Sequence, residues 1–239
     1  MQRLTVMLPT LNEFHALESV VKRIPLNKLK SQGFETQIVV IDGGSIDGTV
    51  ELAMDLGCHL IEQSGDGKGA GIRQGFQYFL EENRDFLVML DADGTYDAKE
   101  IPDLLEKLNH HDVVIGNRLN HRLDSKAMTR LNWVGNYLLT WLAVALYGID
   151  IRDLCSGYWA FSRDAIEKLQ LNSMRFEIEA EMYTSAVFRD LSIGEVDVAY
   201  HPRIGEAKLG SVKDGSSIAR KLLVRKIFPV PFEELSSDV

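Results

Sequence analysis

Phe86-Leu-Val-Met-Leu-Asp91-Ala-Asp93-Gly-Thr-Tyr-Asp97 is an apolar run that stops abruptly in carboxylates. A short, continuous apolar run reads as a strand covered on both faces, and such strands belong to parallel sheets flanked by helices. At the carboxyl edge of these sheets polar side chains meet ligands, so Asp91 and Asp93 mark where function is to be sought. Upstream, Leu4-Thr-Val-Met-Leu8 and Gln37-Ile-Val-Val-Ile-Asp42 read as two strands of the same kind, and Cys58 to Glu62 as a third. Downstream, Asp112-Val-Val-Ile-Gly116, the stretch through Phe161, and Gly194 to Tyr200 supply further strands. Between them, Phe14, Leu17, Val20, Val21 and Ile24 form a helical stripe introduced by a Thr10/Glu13 capping box. Helices are also predicted over 72–80, over 100–108 with Pro102 near the start, and over 177–189. Strands separated in this way by helices predict a doubly wound, mostly parallel α/β sheet in a single domain.

With 239 residues, 45% hydrophobic and 26% charged, the chain is long enough for one sizeable core and ordinary for a globular protein. A formal net charge of -9 argues against nucleic acid as a partner, because phosphate contacts need clustered Lys and Arg. Cys58 and Cys155 show no metal or redox spacing and are expected to be reduced thiols. The first strand begins near Arg3 with no signal-peptide pattern before it, so a cytoplasmic location is expected.

Two residues apart at a strand end, Asp91 and Asp93 lie on one face and can share one hard divalent cation, Mg2+ or Mn2+, with substrate phosphates. The same letters fit the nucleophile loop of haloacid-dehalogenase-like phosphatases, with Asp91 as nucleophile and Asp93 as general acid/base. That loop normally ends the first strand of its fold and needs a later paired acid, which is missing after residue 97. Gly65-Asp-Gly67-Lys68-Gly-Ala70 satisfies Gly-x-Gly-x-x-Ala, but in the third strand-helix unit rather than the first. A loop whose Lys68 and amides touch a nucleotide is the better reading. Asp42 is a candidate acceptor for a nucleobase N–H, while Asp47 fits that role or helix capping equally well. The histidines show no metal spacing.

The second half changes character. Residues 131–149 contain no charge, with Trp133, Tyr137 and Trp141 among them. They fit a helix packed on the core or one lying in a membrane interface. The end of the chain is basic and amphipathic through Arg203, Lys208, Lys213, Arg220, Lys221, Arg225 and Lys226, a pattern suited to an anionic partner, lipid phosphate included.

In order, Pro9-Thr-Leu-Asn-Glu13, Asp42-Gly-Gly-Ser-Ile-Asp47-Gly-Thr49, Gly67-Lys-Gly, Asp91-Ala-Asp93 and Gly116-Asn-Arg118 resemble the signature of family 2 glycosyltransferases with the GT-A fold. Arg130-Leu-Asn-Trp-Val-Gly-Asn136, Asp153-Leu-Cys-Ser-Gly157 with Phe161, and Arg203-Ile-Gly-Glu-Ala-Lys208 extend the resemblance to dolichyl-phosphate sugar synthases, in particular the archaeal type that initiates N-glycans. The resemblance implies a Rossmann-like GT-A domain over residues 1–215. Residues 1–118 would bind the nucleotide sugar and 119–215 the acceptor, followed by a basic tail over 216–239. It implies that Pro9, Leu11, Glu13, Asp42, Lys68, Asp91 and Ala92 hold the nucleotide sugar, and that Asp91 and Asp93 hold the metal. Arg118, Arg130, Arg203 and Lys208 would grip the acceptor phosphate, with Asp93, Arg118 and Arg130 at the reaction itself. Dolichyl-phosphate mannose synthases carry Gln two residues after the second Asp, where this chain has Thr95. The expectation is therefore an inverting transfer of glucose or N-acetylglucosamine from a UDP-linked donor to dolichyl or another polyprenyl phosphate. GDP-mannose as donor and a soluble or polysaccharide acceptor are the alternatives. No membrane hairpin is read in the chain, so attachment to the cytoplasmic membrane face would be peripheral. An acceptor phosphate is already anionic, so no dedicated catalytic base is predicted.

Overall fold

A computed structural model of the protein describes residues 1–205 and 211–230. Its sheet has the order β3-β2-β1-β4-β6-β5-β7, built from β1 (Gln2–Thr10), β2 (Phe34–Asp42), β3 (His59–Glu62), β4 (Phe86–Met89), β5 (Val113–Asn117), β6 (Trp159–Ser162) and β7 (Ile193–Asp197). All neighbours are parallel except β6, which runs antiparallel to both β4 and β5. The mostly parallel α/β sheet read from the strand pattern is therefore the observed one, with a single reversed strand inside it.

Alternation along β1 shows why the chain folds this way. Leu4, Val6 and Leu8 point to one face, against Leu17, Val20 and Val21 of α1 (Phe14–Arg23), with α2 (Leu26–Ser31) and α3 (Thr49–Asp55) nearby. Met7 points to the other face, against Ile72, Phe76 and Phe79 of α4 (Lys68–Glu81). Each of these fully buried aliphatic or aromatic side chains contributes on the order of 1.5–3 kcal/mol. Gly75 lets α4 lie close, since a Cβ there would come within 2.2 Å of Met7 Sδ. On the α1 face, α5 (Ile101–Leu108) buries Ile101, Leu104, Leu105 and Leu108, with Pro102 in its first turn where no amide is missed. α7 (Arg163–Lys168) follows β6 directly.

The opposite layer is completed by α6 (Arg130–Tyr147), α8 (Ile178–Phe188) and α9 (Ser211–Ile227), which pack together. Neither expectation for residues 131–149 describes α6 fully. Thr140 and Ala143 are buried, whereas Leu131, Trp133, Val134, Tyr137, Leu138 and Trp141 are exposed. Among the described residues no helix is long and apolar enough to cross a membrane. The boundary drawn at 215/216 falls inside α9, whose Ile218 and Leu222 are core residues. Arg225 is not part of a solvated basic surface: it is 3% exposed and pairs with Glu181 of α8. The capping box also does not form. Thr10 ends β1 and donates to the Leu8 carbonyl at 2.8 Å, and Glu13 is itself the N-cap residue, its side chain taken by Arg203.

Candidate active site

The site lies where β1, β2 and β4 end, as the parallel topology requires. Lys68 is the first residue of α4, so the helix begins earlier than the apolar stripe from Ile72 indicates. Its ammonium lies 2.7 Å from Asp91 Oδ1 and 2.8 Å from Glu179 Oε1. Burial acts against the charged lysine, but the two carboxylates overcome it and raise its pKa. Glu179 sits in the first turn of α8 together with a second acid, Glu181. Burial raises its carboxyl pKa, with Lys68 pulling in the other direction.

A second cation serves the other carboxylate. Arg203 Nη1 lies 2.7 Å from Asp93 Oδ2, and Nη2 pairs with Glu13. It arrives because 201–204 is laced across the loop after β4: the His201 and Ile204 amides donate to the Thr95 and Asp93 carbonyls at 2.9 and 3.0 Å. Thr95 is a clamp, its hydroxyl and amide donating to Asp93 Oδ1 at 2.6 and 3.0 Å. Burial, and then the neighbouring Asp91, raise the Asp93 pKa above the ordinary carboxylate value. Asp97 does not join the cluster: its carboxylate accepts from the Lys99 amide and caps a 3-10 turn.

Asp91 has room only because position 157 is glycine, since a Cβ there would lie 2.2 Å from Asp91 Oδ2. The Gly157 amide donates to the Tyr96 hydroxyl at 2.6 Å, and Ser156 Oγ donates to the Gly116 carbonyl at 2.6 Å. These bonds seat the segment before β6 against the edge of β4.

At the end of β2, Asp42 is 4% exposed. Its Oδ2 accepts from the Gly44 and Ser45 amides at 2.9 Å each, while Oδ1 is buried and has no hydrogen-bond partner among the described residues. Such an acceptor is costly unless something binds it. Asp47 has a structural role, accepting from the Thr49 hydroxyl and from the Thr49 and Phe14 amides at 3.1 and 3.2 Å; against the effect of burial its pKa is lowered, first by the hydroxyl and then by the amides. Pro9 lies in β1 opposite Ile41 of β2, Leu11 is partly exposed just beyond it, and Ala92 is core, leaving only its backbone for a ligand. Gly67 and Gly69 do not form a pyrophosphate cradle. A Cβ at either would come within 2.5 Å of the Met174 or Ser173 carbonyl, so they admit a neighbouring backbone segment.

The arginines expected on the acceptor phosphate separate. Arg118 is buried and bidentate on Asp153, with Nε–Oδ2 2.7 Å and Nη2–Oδ1 2.8 Å, while its guanidinium lies over the Tyr200 ring. Asp153 raises its pKa although burial opposes this, and among the described residues only Nη1 of its guanidinium carries no hydrogen bond. Arg130, the first residue of α6, is exposed, and borders a cavity of about 400 Å³ with Trp133, Val134, Leu123 and Met128. Of the three arginines, only Arg203 touches the Asp91–Asp93 cluster. Lys208 lies outside the described residues.

The donor set fits a hard divalent cation. Among the described residues, the carboxylates of Glu13, Asp91, Asp93 and Glu179 lie around two cations, Lys68 and Arg203, an excess of hard oxygen donors that suits an M2+ ion. Among the described residues no group of three or more His, Cys, Asp or Glu forms a complete metal cage. An ion held by Asp91 and Asp93 would thus take its remaining ligands from the substrate and water, as Mg2+ commonly does.

Glu179 and the Thr95 clamp were not legible as partners of Lys68 and Asp93. Acids at 179 and 181 in a helix otherwise apolar over its first two turns are the signal that points to them.

A sheet with one reversed strand, an acidic pair at its central edge and a buried acceptor beside it define a glycosyltransferase of the GT-A class. The chain belongs to glycosyl transferase family 2, whose model matches residues 5–170. It is 36% identical over 223 residues to glycosyltransferase AglJ of Haloferax volcanii, covering 92% of this chain and 71% of that one. To the dolichyl-phosphate hexose transferase of the same organism it is 30% identical over 221 residues, covering 92% of each. Among solved structures it is similar to glucosyl-3-phosphoglycerate synthase from Mycobacterium tuberculosis in complex with Mn2+, UDP and glucosyl-3-phosphoglycerate, with a TM-score of 0.72 at 20% identity, covering 97% of this chain and 82% of that one. Family membership sets aside the phosphatase reading of Asp91.

Proposed function

We propose that the protein transfers a hexose, glucose or N-acetylglucosamine, from a UDP-linked donor to a polyprenyl (dolichyl) phosphate with inversion at the anomeric carbon. The observation that carries this reading is that Glu13, Asp91, Asp93, Asp153 and Glu179 each hold a cationic partner. A hydroxyl acceptor needs a general base free to take its proton. An acceptor phosphate is already anionic and needs only positioning, which Arg side chains supply. The lipid-linked sugar chemistry in the name of the dolichyl-phosphate hexose transferase supports the same acceptor class.

Asp42 Oδ1 would accept from the base N–H of the donor, with Pro9, Leu11 and the Ala92 backbone beside the nucleoside. Lys68 would exchange Asp91 for the diphosphate while keeping Glu179. A divalent cation, Mg2+ or Mn2+, held by Asp91 and Asp93 would neutralise the departing diphosphate. The anomeric C–O bond to the diphosphate breaks as an acceptor phosphate oxygen bonds to the same carbon from the opposite face, and the electron pair leaves with UDP. Arg203 would hold the acceptor phosphate, with Arg130, Lys208 and Nη1 of Arg118 contributing. The exposed Trp133, Tyr137, Leu138 and Trp141 would rest in the interface of the cytoplasmic leaflet, a peripheral attachment that brings the prenyl chain to the site.

The test offers labelled UDP- and GDP-sugars with dolichyl phosphate, and follows sugar in the organic phase by thin-layer chromatography. Expected are a lipid-linked monosaccharide from a UDP-sugar, loss of transfer in EDTA and in Asp93→Ala, and an inverted product. Transfer that survives EDTA overturns the metal assignment, and transfer only to a soluble acceptor overturns the acceptor.

A further inference from the structure

Lys68 is held in place from a distance. The segment carrying the Ser173 and Met174 carbonyls lies against Gly67 and Gly69, and the Ala70 amide donates to the Met174 carbonyl at 3.1 Å. What fixes that segment is Glu181, fully buried in α8, whose Oε2 accepts from the Asn172 and Ser173 amides at 2.9 and 2.6 Å. Its Oε1 accepts from Arg225 Nε of α9 at 2.9 Å, and Arg225 Nη2 also donates to Asn172 Oδ1 at 2.6 Å. Lys221, one helical turn earlier, reaches Asn172 Oδ1 at 3.1 Å. Two residues before Glu181 on the same helix, Glu179 holds the Lys68 ammonium.

We propose that Glu181 and Arg225 are positioning residues for the donor site: together they press residues 172–174 onto the glycines flanking Lys68 and thereby fix its ammonium. The inference rests on the reading of Lys68 as a donor diphosphate contact. The pair touches no reacting group. It ties the last described helix, whose Leu223, Val224 and Ile227 are exposed, to the start of α4.

The test is a double-mutant cycle read by calorimetric binding of UDP in the presence of Mn2+. Glu181→Gln is expected to weaken UDP about 10-fold, equivalent to about 1.4 kcal/mol, and Asn172→Ala about 3-fold. In a Lys68→Met background neither is expected to weaken UDP further, because residues acting through one group are not additive. In turnover, the donor KM should rise while the acceptor KM stays put. Asn172 is exposed, so its variant keeps the test open where Glu181→Gln does not fold. Wild-type affinity in Asn172→Ala, or losses of full size in the Lys68→Met background, overturns the proposal. Wild-type protein that binds no UDP overturns the donor reading itself, a result distinct from either.

Discussion

The Lys68 ammonium bridges Asp91 and Glu179 at 2.7 and 2.8 Å, so one cation is shared by two acids that lie far apart in the sequence. Lys68→Met leaves both carboxylates without it. UDP affinity is expected to fall roughly 100-fold, or about 2.7 kcal/mol, and the melting temperature to drop as well, because carboxylates lose a close cation. Calorimetry and thermal melts check the two effects separately, and unchanged UDP affinity would remove Lys68 from the donor site.

Asp42 is predicted to separate binding from stability. Asp42→Asn keeps an oxygen for the Gly44 and Ser45 amides and turns the unpaired Oδ1 into a donor. It should bind UDP on the order of 10- to 100-fold more weakly, because donor now faces donor. Its melting temperature should hold or rise, since a buried, half-satisfied charge is gone. Equal UDP affinity would sink the nucleobase contact.

Arg118 should matter first for stability. Arg118→Ala strands Asp153, which is fully buried, and is expected to destabilise the fold by about 3–5 kcal/mol. The paired replacement Arg118→Met with Asp153→Leu should recover most of that loss in urea titrations. A stable Arg118→Ala protein that loses only acceptor use would assign the residue to the acceptor phosphate alone.

Glu181 gives a signed pH dependence. Burial alone would raise its pKa, but Arg225, Lys221 and the Ser173 amide bring it below the ordinary 4.5. A carboxylate whose folded pKa is depressed contributes stability above its unfolded pKa, and that contribution is lost as pH falls toward the folded value. The gap in melting temperature between wild type and Glu181→Gln should therefore be widest above pH 4.5 and close below it. A gap that stays constant from pH 3 to 7 would contradict the shift.

For the interface of α6, Trp133→Ser with Trp141→Ser should lower co-sedimentation with anionic phospholipid vesicles more than tenfold, given about 1.5–3 kcal/mol for each buried apolar side chain. Transfer to a short-chain prenyl phosphate in detergent should persist. Vesicle binding equal to wild type would clear α6 of that role.

Much of the sheet was legible because a strand covered on both faces writes itself as an unbroken apolar run: Val39-Val-Ile41 and Val88-Met-Leu90 are buried throughout. The acids at the strand ends were equally visible. What stayed hidden is whatever depends on contacts between residues distant in sequence. Local spacing made Thr10 and Glu13 a capping box, while Arg203 took Glu13 for the site. The composition of the tail made Arg225 a surface charge, and only a buried Glu181 on another helix makes it a core residue. Nor does glycine spacing tell whether a close approach is to phosphate or, as at Gly67 and Gly69, to a second stretch of backbone.

β6 enters the sheet from the edge at which β4 and β5 leave it. Residues leading into it, Asp153 to Gly157, therefore sit at the working end of the molecule. Its far end returns to the opposite side, where the Arg163 amide donates to the Asp85 carbonyl at 3.0 Å and Arg3 reaches the backbone of Asn83. The protein thus has a handle. A fluorophore or surface tether placed at exposed Asn83 would hold the molecule by the end opposite Asp91 and Asp93, leaving the site unobstructed in a single-molecule measurement.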